Sequence, residues 1–270
     1  MGFCQISALD ESVPKIAIVI PARLASERLP RKILLDFHGL PMIEHVRRRA
    51  MMNSFSVPVY VVSGDPEILK VVQEFGGRTL KTNLDHPNGL SRVNEASKSL
   101  DYTHYIVLQG DEMLILPSQL DELIKSILQK PQINFWNQIT TLTNEEEIDD
   151  SSIVKCFLNN NRQIFSIFRK TPLTVTPSSQ LSLLRKICGL FAISKVALGQ
   201  YFEKTESPIQ VAESIEQLRY IELGHQISSI NTEFNFPSVN LMDDIKKIDD
   251  SFKNFESQSR LLQLVLTYAN

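Results

Sequence analysis

The sequence has few cysteines, and those it has are scattered. Cys4, Cys156 and Cys188 are the three in 270 residues, without a CxxC pair or a histidine at zinc-ligand spacing. This pattern excludes a disulfide framework and argues against a cysteine-based zinc site. We therefore expect plain thiols and a cytoplasmic protein, because that compartment keeps thiols reduced.

An excess of positive charge and a long apolar run are also missing. Lys and Arg number 28 against 31 Asp and Glu, whereas proteins that bind long nucleic acids usually carry a basic excess. No apolar run approaches the roughly 20 residues that span a bilayer. Residues 1–14 lack the basic start of a secretory signal. We expect neither a nucleic acid polymer nor a membrane as a partner.

The first half of the chain alternates short buried strands with amphipathic helices. Apolar runs predict strands at 15–20, 57–62, 78–82 and 104–108. Apolar stripes at helical spacing predict helices at 41–50, from 65, at 91–100 and from 118. Such alternation predicts a βαβ sheet with right-handed crossovers.

The second half is richer in short strands. We predict strands at 135–142, 154–158, 163–168, 189–193 and 226–231, with helices at 213–223 and from 242. No linker rich in Gly, Pro or Ser divides the chain. The interpretation is an α/β protein with an extension at 1–14 and a single nucleotide-binding domain at 15–270. Its core would be 15–132 and 235–270, and a smaller mixed β lobe would be 133–234.

A basic loop at 21–32 follows the first predicted strand. It contains four cations, Arg23, Arg28, Arg31 and Lys32, beside the small residues Ala22, Ala25 and Ser26. Open α/β sheets bind ligands at the carboxyl ends of their strands. Arg and Lys side chains suit phosphate oxygens, and small residues let backbone N–H groups approach them. We interpret the loop as a phosphate site; the alternative is a solvated basic loop.

A second polar segment, Gln109 to Glu112, ends the fourth predicted strand. A carboxylate at such a strand end can hold Mg2+, which prefers oxygen ligands. The alternative is a turn capped by Asp111. Together with a phosphate loop on a neighbouring strand, the metal interpretation becomes the better one, because Mg2+ neutralises phosphate charge.

Two further segments are more ambiguous. Gly89, Ser91 and Arg92 either face a nucleotide or form an ordinary turn that caps a helix. Glu216 and Arg219 are helical neighbours, and a surface ion pair is their simplest interpretation. The five histidines show no pairing at metal-ligand or triad spacing, and we treat them as structural or surface groups.

The ordered set of motifs resembles the 3-deoxy-manno-octulosonate cytidylyltransferases. The matching residues are 20–23, 26, 28–30, 32, 39, 41–43, 75–77, 85–86, 89, 92, 109–112 and 216–219. The resemblance implies a Rossmann-like nucleotidyltransferase fold of the glycosyltransferase-A kind, with a mixed sheet flanked by helices. It implies that the anomeric hydroxyl of a 3-deoxy-2-ulosonic acid attacks the α-phosphate of CTP and releases pyrophosphate. Mg2+ would be the cofactor, CTP and the sugar the partners, and a homodimer the assembly.

The same resemblance assigns roles by position. Residues implied to bind the nucleotide are Pro21, Ala22, Arg23, Ser26, Lys32, Gly89 and Arg92. Residues implied to lie near the sugar are Arg28, Gln109, Arg169, Glu216 and Gln217. Arg23, Lys32 and Asp111 would be catalytic, and Asp111 and Asn240 would be the metal ligands.

Several positions depart from the family pattern. Arg31 replaces a glycine of the basic loop. Ile187 and Phe191 stand where the family has His and Tyr, and Asn240 stands where it has a second metal-binding Asp. These changes predict an altered sugar pocket and a weaker metal site, to which Asp243 or Asp244 is an alternative ligand.

Three functions remain open at this point. The leading hypothesis is a CMP-sugar synthetase for 3-deoxy-manno-octulosonate or a related ulosonic acid. A catalytically silent, nucleotide-binding relative with a regulatory or partner-binding role is the second. A different sugar-nucleotide enzyme on the same kind of sheet is the third. Pyrophosphate release from CTP separates them.

Overall fold

The computed structural model describes residues 13–26, 28–203 and 207–268. Cys4 and residues 1–12 of the predicted extension lie outside this part. The described part of the first half contains one 3-10 turn, at Lys32–Leu34. Its other elements are β1 (Ile16–Ala22), β2 (Asp36–Phe37), β3 (Leu40–Pro41), α1 (Met42–Met51), β4 (Val59–Ser63), α2 (Pro66–Glu74), β5 (Arg78–Lys81), α3 (Gly89–Ser97), β6 (His104–Leu108) and α4 (Pro117–Gln129). The alternation predicted for this half is confirmed.

The second half differs from the prediction in its helices. Its elements are β7 (Phe135–Thr140), α5 (Glu146–Asp149), β8 (Lys155–Leu158), β9 (Gln163–Phe168), α6 (Pro177–Leu183), β10 (Arg185–Ser194), α7 (Lys195–Glu203), α8 (Pro208–Glu213), α9 (Glu216–Glu222), β11 (Ile227–Asn231), α10 (Met242–Asn254) and α11 (Glu256–Leu266). The predicted helix over 213–223 is divided, because Ser214 takes a left-handed conformation with φ of 52°.

Strands from both halves form one mixed sheet. Over the described residues it has nine strands in the order β5-β4-β1-β6-β10-β7-β11-β9-β8. β2 and β3 form a separate antiparallel pair. The four strands that the first half contributes to the large sheet, β5, β4, β1 and β6, are parallel, and β10 joins them by running antiparallel to β6 and β7. The strands of residues 133–234 therefore extend the core sheet. A further pairing of β10 with β8 closes five of these strands into a ring.

The core lies on both faces of the sheet. Successive side chains of β1 alternate between two apolar clusters, since side chains of a strand point to opposite faces. Ile18 and Ile20 pack with α1, α2, α4, α10 and α11, and Ala17 and Val19 pack with α3, α7 and α9. Because β1 and β6 are parallel neighbours, the segments that follow them lie at the same edge. Among the helices described, none is long and apolar enough for a membrane crossing.

Buried charges attach α11 to α1. The carboxylate of Glu44 accepts hydrogen bonds from Arg47 at 2.7 Å and from Arg48 at 3.3 Å. Arg48 also donates to the Val265 carbonyl at 2.8 Å. Arg49 donates to Gln258 at 2.7 Å. These contacts hold the C-terminal helices against the first half of the chain.

We predict that Glu44→Ala strongly destabilises the protein. Removing one partner of a buried ion pair costs roughly 3–5 kcal/mol, because the other charge stays buried and uncompensated. At about 2 °C per kcal/mol for a chain of this size, Tm should fall by about 6 °C or more in a thermal melt. Glu74→Ala, in an exposed pair with Lys70 on α2, is the matched control and should leave Tm nearly unchanged. Equal Tm values for the two variants would contradict the assigned role of Glu44.

Candidate active site

A cleft of about 1370 Å³ opens at the carboxyl edge of β1 and β6. The structure brings all of the site residues expected from the sequence to this cleft. They are Pro21, Ala22, Arg23, Ser26, Arg28, Lys32, Gly89, Arg92, Gln109, Asp111, Arg169, Glu216, Gln217 and Asn240. Their individual roles remain predictions, and the contacts below show what each group is able to do.

The basic loop is held in shape by its backbone. The Leu24 N–H donates to the carboxylate of Asp65 at 2.9 Å, and the Arg31 N–H donates to the Leu24 carbonyl at 2.9 Å. Arg31 has a φ of 60°, the left-handed conformation that glycine adopts most easily. This explains the glycine of the family pattern at this position. In this chain the Arg31 side chain instead contacts Glu67 on α2.

Lys32 connects the basic loop to the end of β6. Its ammonium group donates to Asp111 Oδ2 at 2.7 Å and to the Val239 carbonyl at 2.9 Å. Gly110 lies against the residue that follows Lys32, and a Cβ there would come within 2.5 Å of Ile33 Cδ1. The result is a fixed, partly buried ion pair at the mouth of two parallel strands.

Asn240 lies beside this contact and bonds to the basic loop. Its Oδ1 accepts a hydrogen bond of 2.7 Å from Arg28. The Val239 N–H donates to the Asp111 carbonyl at 3.4 Å, which keeps residue 240 near Asp111. Carboxylate and amide oxygens suit Mg2+, which takes one or two carboxylates and fills its shell with water and substrate phosphates. The pair fits a metal shared with a phosphate substrate, and the described residues contain no cluster of three His, Cys, Asp or Glu that would hold one alone.

The carboxylate of Asp244, the alternative metal ligand, accepts hydrogen bonds with both oxygens at the start of α10. Its Oδ2 accepts from the N–H groups of Asn240 and Leu241 at 2.9 Å each, and its Oδ1 accepts from Lys247 at 2.8 Å. Burial favours the neutral acid, but the Lys247 and backbone hydrogen bonds outweigh it and lower the pKa of Asp244. Asp244 therefore stabilises the turn that presents Asn240.

Glu216 joins the turn at Gly89 to the second half of the cleft. Its Oε1 accepts a hydrogen bond of 2.9 Å from the Leu90 N–H. Burial raises the pKa of this carboxyl group, although the N–H groups of Leu90 and Gly89 and the charge of Arg23 act in the opposite direction. The interpretation of Glu216 and Arg219 as a surface ion pair is wrong, because Arg219 is buried over the ring of Tyr201.

Arg92 lines the cleft, and its guanidinium group donates hydrogen bonds to nearby residues of the chain. It is buried and donates to Thr82 Oγ1 at 2.5 Å and to the Asn83 carbonyl at 2.8 Å. It also donates to the Leu84 carbonyl at 3.2 Å. Burial lowers the pKa of Arg92. These contacts order the segment before α3.

The sequence assigned no role to three polar residues of the cleft, Glu112, Lys186 and Asn235. Glu112 accepts a hydrogen bond of 3.2 Å from the Gly189 N–H, and a Cβ at Gly189 would collide with its carboxylate. Burial and the nearby Asp111 raise the pKa of Glu112 to about 7. Lys186 Nζ donates to Asn235 Oδ1 at 2.8 Å. A single lysine in a strand-like run carried no signal, because its neighbours come from distant segments.

Two positions that depart from the family pattern, Ile187 and Phe191, lie on β10 at the wall of the cleft. Ile187 is half-buried, and Phe191 is buried against the ring of Phe135 with centroids 5.5 Å apart. Both residues line the cleft. This wall of the cleft carries apolar side chains where the family resemblance led us to expect His and Tyr.

The fold and the cleft define a nucleotidyltransferase. The sequence profile of the cytidylyltransferase family matches residues 17–227. The chain is 32% identical over 234 residues to the 3-deoxy-manno-octulosonate cytidylyltransferase of Escherichia coli, covering 87% of this chain and 94% of that protein. The enzyme of the same name from Acidithiobacillus ferrooxidans is 35% identical, with 78% of this chain and 88% of that protein covered.

Solved structures give the same result. CMP:2-keto-3-deoxy-manno-octonic acid synthetase complexed with CTP is similar with a TM-score of 0.82 and 31% identity, covering 89% of this chain and 99% of that one. The inositol-1-phosphate CTP transferase of T. maritima, at 14% identity and a TM-score of 0.62, shares the fold. The chain belongs to the 3-deoxy-manno-octulosonate cytidylyltransferase family.

We predict that Arg23→Ala weakens CTP binding by about tenfold or more. A lost charge-assisted contact typically costs about 1.5–3 kcal/mol. Since Arg23 is exposed on the loop, Tm of the free protein should stay nearly unchanged. Arg260→Ala, an exposed arginine on α11, is the control and should leave the affinity intact. Equal CTP affinity of the Arg23 variant and the parent in calorimetry would remove the loop from the site.

Proposed function

We propose that the protein transfers CMP from CTP to the anomeric hydroxyl of 3-deoxy-manno-octulosonate or a related 3-deoxy-2-ulosonic acid. The products are the CMP-sugar and pyrophosphate. The observation that carries the proposal is the contact of Lys32 with Asp111, which unites a basic loop and an acidic strand end in one cleft. The names of the similar enzymes support the choice of nucleotide and sugar.

The chemistry depends on positioning and on charge. Arg23 and Lys32 would bind the triphosphate, so that the α-phosphorus meets the sugar hydroxyl while the pyrophosphate leaves. Asp111 and Asn240 would hold Mg2+, which when bound neutralises charge on the phosphates. Gln109, Arg28, Glu216 and Gln217 would orient the sugar.

The assembly and the compartment are proposals of the same kind. The family resemblance supports a homodimer, which sedimentation of the purified chain would test. A cytoplasmic location is supported by the free thiols of Cys156 and Cys188 and by the cytosolic nature of a nucleotide substrate pool.

The direct experiment is pyrophosphate release from CTP in the presence of Mg2+ and a panel of ulosonic acids. The proposal expects release that requires both CTP and a sugar, with a CMP-sugar as the second product. CTP binding without turnover of any sugar would favour the silent relative. Release with a different sugar class would favour another sugar-nucleotide enzyme.

We predict that Asp111→Asn abolishes turnover and spares the fold. The substitution removes the charge that pairs with Lys32 and that a divalent metal would need. Asp101→Asn, in an exposed pair with Lys15, is the control and should retain full activity. Substantial turnover by the Asp111 variant at saturating Mg2+ would contradict a metal role for that residue.

We predict that plain 3-deoxy-manno-octulosonate is a poorer substrate than a deoxy-substituted ulosonic acid. An apolar wall at Ile187 and Phe191 cannot replace the hydrogen bonds that a sugar hydroxyl loses on leaving water. The measurement compares kcat/KM across the panel at fixed CTP. The altered-pocket hypothesis fails if 3-deoxy-manno-octulosonate is turned over efficiently and every analogue is worse.

A further inference from the structure

The proposed sugar carries its carboxylate directly on the anomeric carbon, which also bears the attacking hydroxyl. A carboxylate that leaves water needs a cation or several hydrogen bonds. Because only one bond separates the carboxyl carbon from the anomeric carbon, that cation must lie close to the metal and phosphate side of the cleft. The family resemblance placed Arg169 near the sugar, so its contacts decide whether it is available.

The guanidinium of Arg169 is occupied by backbone carbonyls. Its Nε donates to the Glu213 carbonyl at 2.8 Å, and its Nη1 donates to the Ser151 carbonyl at 2.8 Å. Its Nη2 contacts the Ser214 carbonyl at 3.4 Å. Turning the side chain toward a ligand would break all three bonds, of which the one to the Glu213 carbonyl is partly buried. Arg169 thus connects two loops around the cleft.

Lys186 is differently placed. It lines the cleft from β10, and its ammonium group donates to the neutral amide oxygen of Asn235 at 2.8 Å. An ammonium group has three donors, so this bond leaves capacity for a ligand oxygen. By contrast, the cleft residue Lys247 is paired with the carboxylate of Asp244.

The partner of Lys186 is itself held in place. Asn235 Nδ2 donates to Glu147 Oε1 at 3.3 Å and lies 3.4 Å from the Thr141 carbonyl. With its amide nitrogen directed there, Asn235 presents its oxygen to Lys186. This arrangement orients the ammonium group of Lys186 through a neutral amide.

The fold places Lys186 near this side of the cleft. Lys186 lies on β10, which pairs with β6, the strand that ends at the Gln109 to Glu112 segment. Glu112 follows Asp111 in the chain and accepts a hydrogen bond from the Gly189 N–H, on the same strand as Lys186. Lys186 therefore lies on the strand that contacts the proposed metal side of the cleft.

We propose that Lys186, oriented by Asn235, binds the carboxylate of the ulosonic acid and so selects acidic sugars. This assignment rests on the proposed function. Lys186 is a substrate-binding residue in it, and Asn235 is a positioning residue.

The test compares an ulosonic acid that the parent turns over with the carboxamide of the same sugar. The parent should prefer the acid. Lys186→Gln should lower kcat/KM for the acid by about tenfold or more, while kcat/KM for the carboxamide and KM for CTP change little. Lys186→Arg should restore part of the preference. Asn235→Ala should weaken the preference mainly through KM for the acid.

The controls separate this role from a structural one. Lys247→Gln and Arg169→Gln should keep the preference for the acid, although Arg169→Gln should lower Tm. The inference is overturned if Lys186→Gln affects acid and carboxamide equally, or if Arg169→Gln abolishes the preference. A parent that releases no pyrophosphate with any ulosonic acid would overturn the proposed function, and this inference with it.

Discussion

The site depends on the ammonium group of Lys32, which lies between the Asp111 carboxylate and the Val239 carbonyl. That contact joins the loop after β1, the end of β6 and the segment that leads to α10. These pieces are far apart in the sequence, and they meet because β1 and β6 are parallel neighbours whose carboxyl ends share one edge. Arg48 and Arg49, buried on α1, stabilise this arrangement because they hydrogen-bond to α11.

Lys32 and Lys247 pair with carboxylates, and four other cations of the cleft fall into two groups according to their partners. Arg92 and Arg169 donate to carbonyl groups of the backbone and stabilise the loops that form the walls. Arg28 and Lys186 donate to the neutral amides of Asn240 and Asn235, so their charge remains effective toward an anion. An enzyme that transfers CMP from a triphosphate to an acidic sugar, with release of pyrophosphate, needs both groups, because two anions must approach each other in a preformed site.

Much of this was predictable from the sequence, for a topological reason. The basic loop and the Gln109 to Glu112 segment each follow a buried strand, and parallel strands bring such segments together. The continuity of the sheet was less visible, since β10 joins the two halves through pairing between distant residues. The contact of Lys186 with Asn235 was not predictable either, because the two residues are 49 positions apart in the sequence. The break at Ser214 depends on one backbone conformation that an apolar pattern does not encode.

The account holds that the cleft transfers CMP in one direct displacement, with positioned charges and no covalent intermediate on the protein. The stereochemical course at the α-phosphorus tests this most directly, because attacking and leaving oxygens lie roughly in line in a single displacement. The experiment uses one diastereomer of CTP that carries sulfur on the α-phosphate, with an ulosonic acid as acceptor. The account predicts inversion of configuration in the CMP-sugar product. Retention would require two displacements through a nucleotidylated side chain and would contradict it.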